Sequence, residues 1–208
     1  ARRSHCPRVQ ARLQSPRLPT TTISFRPHVK ATPYMKLEDR CRGIELVLSD
    51  VDGVLTNGGL TFNNQGIETK EFYIRDGLGI RLWQRAGFRF GILTARTSHI
   101  VRLRAVELGI DIVRQGFEDK LPIAQQIIEQ QQLSPAQVCY IGDDLTDVPV
   151  MRRVGLGVAV ADAAPEVRAC AHLVTQLGGG RGAVRELLEA LLKAKNRWDD
   201  LIRKYLEQ

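Results

Sequence analysis

Little in this chain of 208 residues marks a specialised class. Its four cysteines, Cys6, Cys41, Cys139 and Cys170, show no Cys-x-x-Cys spacing, so nothing points to a disulfide framework and a reducing compartment is the default. Cys139 and Cys170 sit in apolar runs and are expected to be small core residues. No apolar stretch approaches the ~20 residues of a membrane span. The histidines lack metal-ligand spacing; His99 is expected at the surface and His172 in the core. No internal repeat is present. Acidic residues are missing from one region altogether: residues 1–37 hold eight Lys/Arg and no Asp or Glu. The remainder holds 22 basic and 23 acidic groups, so the net charge of +7 belongs to the leader and the folded part is close to neutral.

That leader, residues 1–34, is rich in Arg, Pro, Ser and Thr without helical or strand periodicity, and is expected to be disordered. Three origins fit: a transit peptide, Arg- and Ser-rich and poor in acids; a nucleic-acid arm, although only Phe25 and Tyr34 supply aromatic interleaving; or an artefact of start assignment, because Met35-Lys36-Leu37-Glu38 reads like a natural beginning. Residues 35–208 are expected to form one domain, with 178–208 a Gly-rich loop and a C-terminal helix.

From Arg42 onward, short apolar runs alternate with helical segments. Ile44 to Ser49 reads as a buried strand, and Asn63-Asn64-Gln65-Gly66 between β-prone stretches reads as a hairpin turn. Further strands are expected at 88–94, 110–113, 138–142, 157–160 and 172–175. Helices are expected at 76–86, 98–108 with a hydroxyl cap and ended by Gly109, 119–132, 148–154, 165–171, and from Ala183 towards the C-terminus. This alternation predicts an α/β fold whose parallel sheet is covered on both faces through right-handed crossovers.

Strand ends in such a sheet share one edge, where open α/β folds place their sites. Asp50 and Asp52 follow the first strand, Thr94 the second, and Asp143, Asp144 and Asp147 the fourth; Lys120 opens the helix before that fourth strand. An Asp-x-Asp alone is weak, since many turns carry one. The whole set is suited to phosphoryl transfer. A phosphomonoester dianion repels a carboxylate nucleophile unless positive charge intervenes, and Mg²⁺ on hard oxygen ligands such as Asp50 and Asp143 would supply it. Asp50 could attack phosphorus, Asp52 could protonate the leaving oxygen and later deprotonate water, and Lys120 and Thr94 could grip the phosphoryl oxygens.

Asp50-Val51-Asp52-Gly53-Val54, Thr94, Lys120 and Gly142-Asp143-Asp144-Leu145-Thr146-Asp147, in that order, resemble the four motifs of the haloacid dehalogenase phosphatase superfamily. The resemblance implies a three-layer Rossmann-like fold with a β-hairpin flap, and Mg²⁺ held by Asp50, the Asp52 backbone carbonyl and Asp143. It also implies that Asp144 and Asp147 support the metal and the lysine. The intervals between motifs, 44, 26 and 23 positions, leave no room for a separate cap domain. The site should be open within one subunit.

Arg75-Asp76-Gly77-Leu78-Gly79-Ile80-Arg81, Pro149-Val150-Met151 and Gly179-Gly180-Arg181-Gly182-Ala183-Val184-Arg185-Glu186 narrow the resemblance to the capless 3-deoxy-D-manno-octulosonate 8-phosphate phosphatases, from about Gly43 to Leu192. What this family implies is a homotetramer on the route to lipopolysaccharide, with a sugar-acid phosphate as substrate. The cysteine usage and the lack of a long apolar run add the expectation of a cytoplasmic chain without a membrane partner, and nucleic acid is not expected as a partner either. It implies substrate contacts from Asp52, Tyr73, Ile74, Arg75, Asp76, Gly77, Arg81, Arg96, Arg104 and Lys120, with the tail around Arg181 reaching a neighbour's site. Two departures stand out: Ala95 where the family usually has Gly, and Asn57 where an acid is common. The arginines could equally be solvated surface charges. Alternatives for the whole chain are a phosphatase of a nine-carbon keto-sugar acid 9-phosphate, or a non-catalytic interaction module.

Overall fold

A computed structural model describes residues 36–207; the expectations for residues 1–34, Cys6 among them, lie outside the described residues. The strands are β1 (Leu46–Ser49), β2 (Thr61–Phe62), β3 (Glu68–Thr69), β4 (Arg89–Thr94), β5 (Ile112–Gln115), β6 (Val138–Gly142), β7 (Leu156–Ala159) and β8 (Leu173–Val174). The helices are α1 (Leu37–Gly43), α2 (Ile74–Arg85), α3 (His99–Leu108), α4 (Lys120–Gln130), α5 (Val148–Met151), α6 (Pro165–Cys170), α7 (Ala183–Ala194) and α8 (Trp198–Leu206).

Every residue of β1 and of β6 is buried. Continuous burial, rather than alternation, is what a parallel strand covered on both faces requires. Six strands form one parallel sheet in the order β5-β4-β1-β6-β7-β8, while β2 and β3 make a separate antiparallel flap. The chain builds from β1 outward through β4 to β5, then crosses back over β1 to β6, β7 and β8. Right-handed crossovers running in opposite directions place their helices on opposite faces. Accordingly α2 packs with α3 and α7 in one layer, and α4 packs with α5, itself against α6, in the other. Strand β1 is where the order reverses, so its carboxyl end opens into the crevice that α/β folds use for ligands. No helix among the described residues is long and apolar enough to cross a membrane.

Five local expectations need correction. Helix α1 was not anticipated; Glu38 and Asp39 in its first turn and Arg40 and Arg42 in its last complement the helix dipole. The single C-terminal helix is two: Asn196 takes φ 55°, breaking the run so that Trp198 turns back, largely buried, with the Arg185 guanidinium 5.0 Å from its ring. Ser98 stands at the N-cap of α3 but its hydroxyl donates elsewhere, to Glu68 Oε2 at 3.2 Å. His172 is exposed rather than core, its Nδ1 accepting the Gly157 N–H at 2.9 Å. His99 is exposed and Cys139 fully buried, as expected, whereas Cys170 is only partly buried.

Candidate active site

The end of β1 delivers Asp50 between the ends of β4 and β6. Its backbone N–H still donates to Ile141 O at 3.1 Å, so the residue is fixed as an extension of the sheet. Asp50 Oδ1 accepts the Val51 N–H at 2.7 Å and Oδ2 meets Lys120 Nζ at 2.8 Å. Lys120, first residue of α4, is 1% exposed and also donates to Asp147 Oδ1 at 2.6 Å. Burying an ammonium is costly unless it is paired, and here two carboxylates face it. Burial works against the charged form, yet Asp147 and Asp50 outweigh it and hold the lysine pKa above its ordinary value.

Asp147 accepts four donors: Lys120 Nζ and Tyr140 Oη (2.7 Å) on Oδ1, and the backbone N–H groups of Asp143 (2.9 Å) and Asp144 (3.2 Å) on Oδ2. Asp143 is the reverse. Its Oδ1 is buried and has no hydrogen-bond partner among the described residues. Desolvation, followed by the charges of Asp147 and Asp50, pushes the Asp143 pKa up to about 7; desolvation and Asp147 push Asp50 up to about 6 despite Lys120. Three acids share one ammonium. That is an arrangement short of positive charge, and one oxygen from each of Asp50, Asp143 and Asp147 lies within 4.8 Å of the others. Because the lone pairs of Asp147 are occupied, Asp50 and the unpartnered Asp143 are the side chains free to take a divalent cation. The donor set fits a hard ion.

Thr94, at the end of β4, is 2% exposed, and its carbonyl accepts the N–H groups of Gly116 and Phe117 at 3.1 and 3.3 Å. Asp52, on the loop after β1, pairs with Lys70 of the flap. Lys70 also lies 3.5 Å from Glu68 Oε1, and Glu68 accepts Arg96 Nη2 at 2.7 Å. Among the described residues, the second, buried amino group of Arg96 has no partner. Lys70, Glu68 and Tyr140 were not singled out from the sequence. Glu68 lies on β3 and Lys70 directly after it, two positions on, and that spacing of opposite charges beyond the flap turn was the available signal.

Other expected residues are placed differently. Asp144 is exposed and caps the turn after β6, accepting the Leu145 N–H at 2.7 Å, rather than bracing the lysine. Asp76, expected to contact substrate, is 2% exposed and turns to the start of α7, where Oδ1 accepts the Arg185 N–H at 2.7 Å. Desolvation pushes its pKa up to about 6 against that bond. Arg81 donates to Glu107 O and Arg104 to Glu107 Oε2, both at 2.7 Å. Gly77 is where Arg104 passes: a Cβ there would lie 2.5 Å from its Nη2. Ile74 is exposed at the start of α2. Tyr73, Arg75 and Arg181 line a cavity of about 400 Å³ with Arg185, Glu189 and Lys193. The glycine loop before α7 presses on the loop that follows β1: Gly180 N donates to Val54 O at 2.9 Å, and a Cβ on Gly179 would lie 1.8 Å from Gly53 O. Asn57, at the end of that loop, accepts the Gly59 N–H at 3.0 Å, so the missing acid leaves the turn closed.

Residues 93–185 match the haloacid dehalogenase-like hydrolase family. The 3-deoxy-D-manno-octulosonate 8-phosphate phosphatase of Yersinia pestis is 46% identical over 158 residues, 76% of this chain and 84% of that one. The chain belongs to this phosphatase family. Two solved members bear on the site. The Moraxella catarrhalis enzyme, in complex with magnesium, phosphate and the sugar acid KDO, is 38% identical, with TM-score 0.80 over 81% of this chain and 97% of its own. The cobalt-bound Haemophilus influenzae enzyme is 35% identical, with TM-score 0.77 over 80% of this chain and 99% of its own. The family's capless architecture agrees with the sheet, flap and helices found here.

Proposed function

We propose that this chain is a Mg²⁺-dependent phosphoric monoester hydrolase that converts 3-deoxy-D-manno-octulosonate 8-phosphate to the free sugar acid and phosphate. The observation that carries the reading is the buried Asp50–Lys120–Asp147 cluster beside an unpartnered Asp143 oxygen, in a chain matched along most of its length by enzymes of that name.

Asp50, Asp143 and the Asp52 backbone carbonyl would hold the ion. When bound, Mg²⁺ offsets the repulsion between the phosphate dianion and the attacking carboxylate. Lys120 restrains Asp50 Oδ2 and offers its remaining N–H to a phosphoryl oxygen, with the Thr94 hydroxyl as a second donor. An Asp50 oxygen bonds to phosphorus as the bond from phosphorus to the sugar oxygen breaks. That oxygen takes its proton from Asp52. Water then bonds to phosphorus and gives a proton to Asp52; the Asp50–phosphorus bond breaks, and inorganic phosphate leaves with the site restored. The free donor of Arg96 and the cations of Arg75 and Arg181 suit a substrate carrying both a carboxylate and a phosphate.

The same reading makes residues 35–208 one catalytic domain, acting in the cytoplasm on the route to lipopolysaccharide. It makes the active form a homotetramer: the flap exposes Leu60, Phe62 and Ile67, large apolar side chains that a neighbouring copy would cover. Steady-state hydrolysis of the eight-carbon and nine-carbon keto-acid phosphates, each with added Mg²⁺ and with a chelator, tests the function. Turnover of the eight-carbon ester that the chelator abolishes is expected. A preference for the nine-carbon ester, or chelator-resistant turnover, would overturn it. Light scattering should give four times the chain mass.

A further inference from the structure

Lys70 follows the second strand of the flap directly, yet its side chain is only 1% exposed. A lysine side chain buried at the base of a surface hairpin gives up most of its hydration, which a role in holding the hairpin does not require: the β2–β3 ladder has only two residue pairs. Its ammonium lies against Asp52 Oδ1 and 3.5 Å from Glu68 Oε1. Among the described residues it is the sole side-chain partner of the Asp52 carboxylate. Glu68 is itself fixed by Arg96 Nη2 at 2.7 Å and the Ser98 hydroxyl at 3.2 Å, both from the segment between β4 and α3. A continuous polar chain thus runs from Asp52 through the flap to the segment that follows Thr94.

We propose that Lys70 is a positioning residue for Asp52, fixing its carboxylate in the direction from which a proton reaches the leaving oxygen. The loop after β1 sets where Asp52 starts, but its side chain takes direction from a group on another element. The stance of the flap is thereby read at the proton donor, and Glu68, Arg96 and Ser98 hold the flap at the height where Lys70 can reach. The inference rests on Asp52 as the proton-transferring group in the reaction proposed above.

A leaving-group comparison isolates this role. An alkoxide needs its proton as the bond to phosphorus breaks, whereas 4-nitrophenolate leaves with little help. The first-turnover release of alcohol is to be measured for the sugar-acid phosphate and for 4-nitrophenyl phosphate, with Lys70→Met and Lys70→Arg. Protonation contributes typically 10²–10⁴-fold, so Lys70→Met should slow the sugar ester about 10²-fold with KM within about threefold, and slow the nitrophenyl ester less than about fivefold. Lys70→Arg should recover at least about tenfold. Adding Asp52→Asn to Lys70→Met should bring little further loss, since both act on one proton transfer. Equal slowing of both esters, an unchanged sugar ester, or additive losses in the double variant would each overturn the assignment. If Lys70→Met does not fold, Lys70→Gln gives the same ratio. Asp50→Asn must silence both esters. If it does not, the proposed chemistry fails rather than the role of Lys70.

Discussion

At the edge of β1, Lys120 is buried and held by Asp50 at 2.8 Å and by Asp147 at 2.6 Å, and Asp147 in turn accepts three other donors. On the α2–α3 side of the molecule, Arg81 and Arg104 reach the same residue, Glu107, whose side chain stands in solvent. Both regions pair cations with oxygen, but only the first is dry. A charge buried beside one partner cannot be removed without stranding the other, whereas an exposed guanidinium exchanges one partner for water at little cost. The acid–lysine cluster is therefore rigid before substrate arrives. Of the two arginines, Arg81 is exposed and can trade its partner for water, whereas Arg104, its side chain 14% exposed and lying over the Phe72 ring, is held more firmly.

The sharpest way to break this contrast is Lys120→Met. It should lower turnover about 10³-fold or more and destabilise the fold by about 3–5 kcal/mol, because Asp50 and Asp147 lose their common counter-ion. Paired kinetic and denaturant measurements check this; turnover within tenfold of wild type would place the cluster outside the chemistry. Gly179→Ala comes next. A methyl group 1.8 Å from Gly53 O must push the loop after β1 aside, costing about 1–3 kcal/mol and lowering kcat along with it. Retention of both would mean that the glycine loop moves freely.

Asp76→Asn sharpens the comparison by pH. The folded-state pKa of Asp76, about 6, lies above the unfolded value near 4, so the native state binds the extra proton and this group's contribution to stability falls as pH rises from about 4 to about 6. The Asn variant keeps an oxygen for the Arg185 N–H but carries no charge. Its melting temperature relative to wild type should climb across that window and level off above about pH 7. A flat difference would show that Asp76 does not titrate there. Smallest of all, Arg81→Ala should change KM less than about twofold, since its guanidinium is engaged by the Glu107 carbonyl. A tenfold rise would show that substrate draws it away.

The sheet and its acid edge were legible because both follow from short-range pattern. A continuous apolar run followed by Asp50 fixes a buried strand and the place where the carboxylate emerges, and the same holds for β6 and Asp143. What the pattern could not carry were contacts set by elements far apart in sequence. Nothing near Asp76 announces that it completes the start of a helix beginning at Ala183, a contact that spans more than a hundred residues. Tyr140 reads as a strand aromatic until the turn after β6 brings Asp147 beneath its hydroxyl. Ser98 looks like a helix cap until the flap offers Glu68 as a better acceptor. The break at Asn196 depends on where Trp198 can find cover, which no local propensity records.

The glycine loop resting on Gly53 joins the two ends of the domain by direct abutment of main chain, with Gly180 N–H fastened to Val54 O. A segment more than a hundred residues downstream thus acts as a mould for the turn that follows Asp50. Lengthening or stiffening that downstream segment would be felt first as misdirected attack, well before any melting curve registered the change.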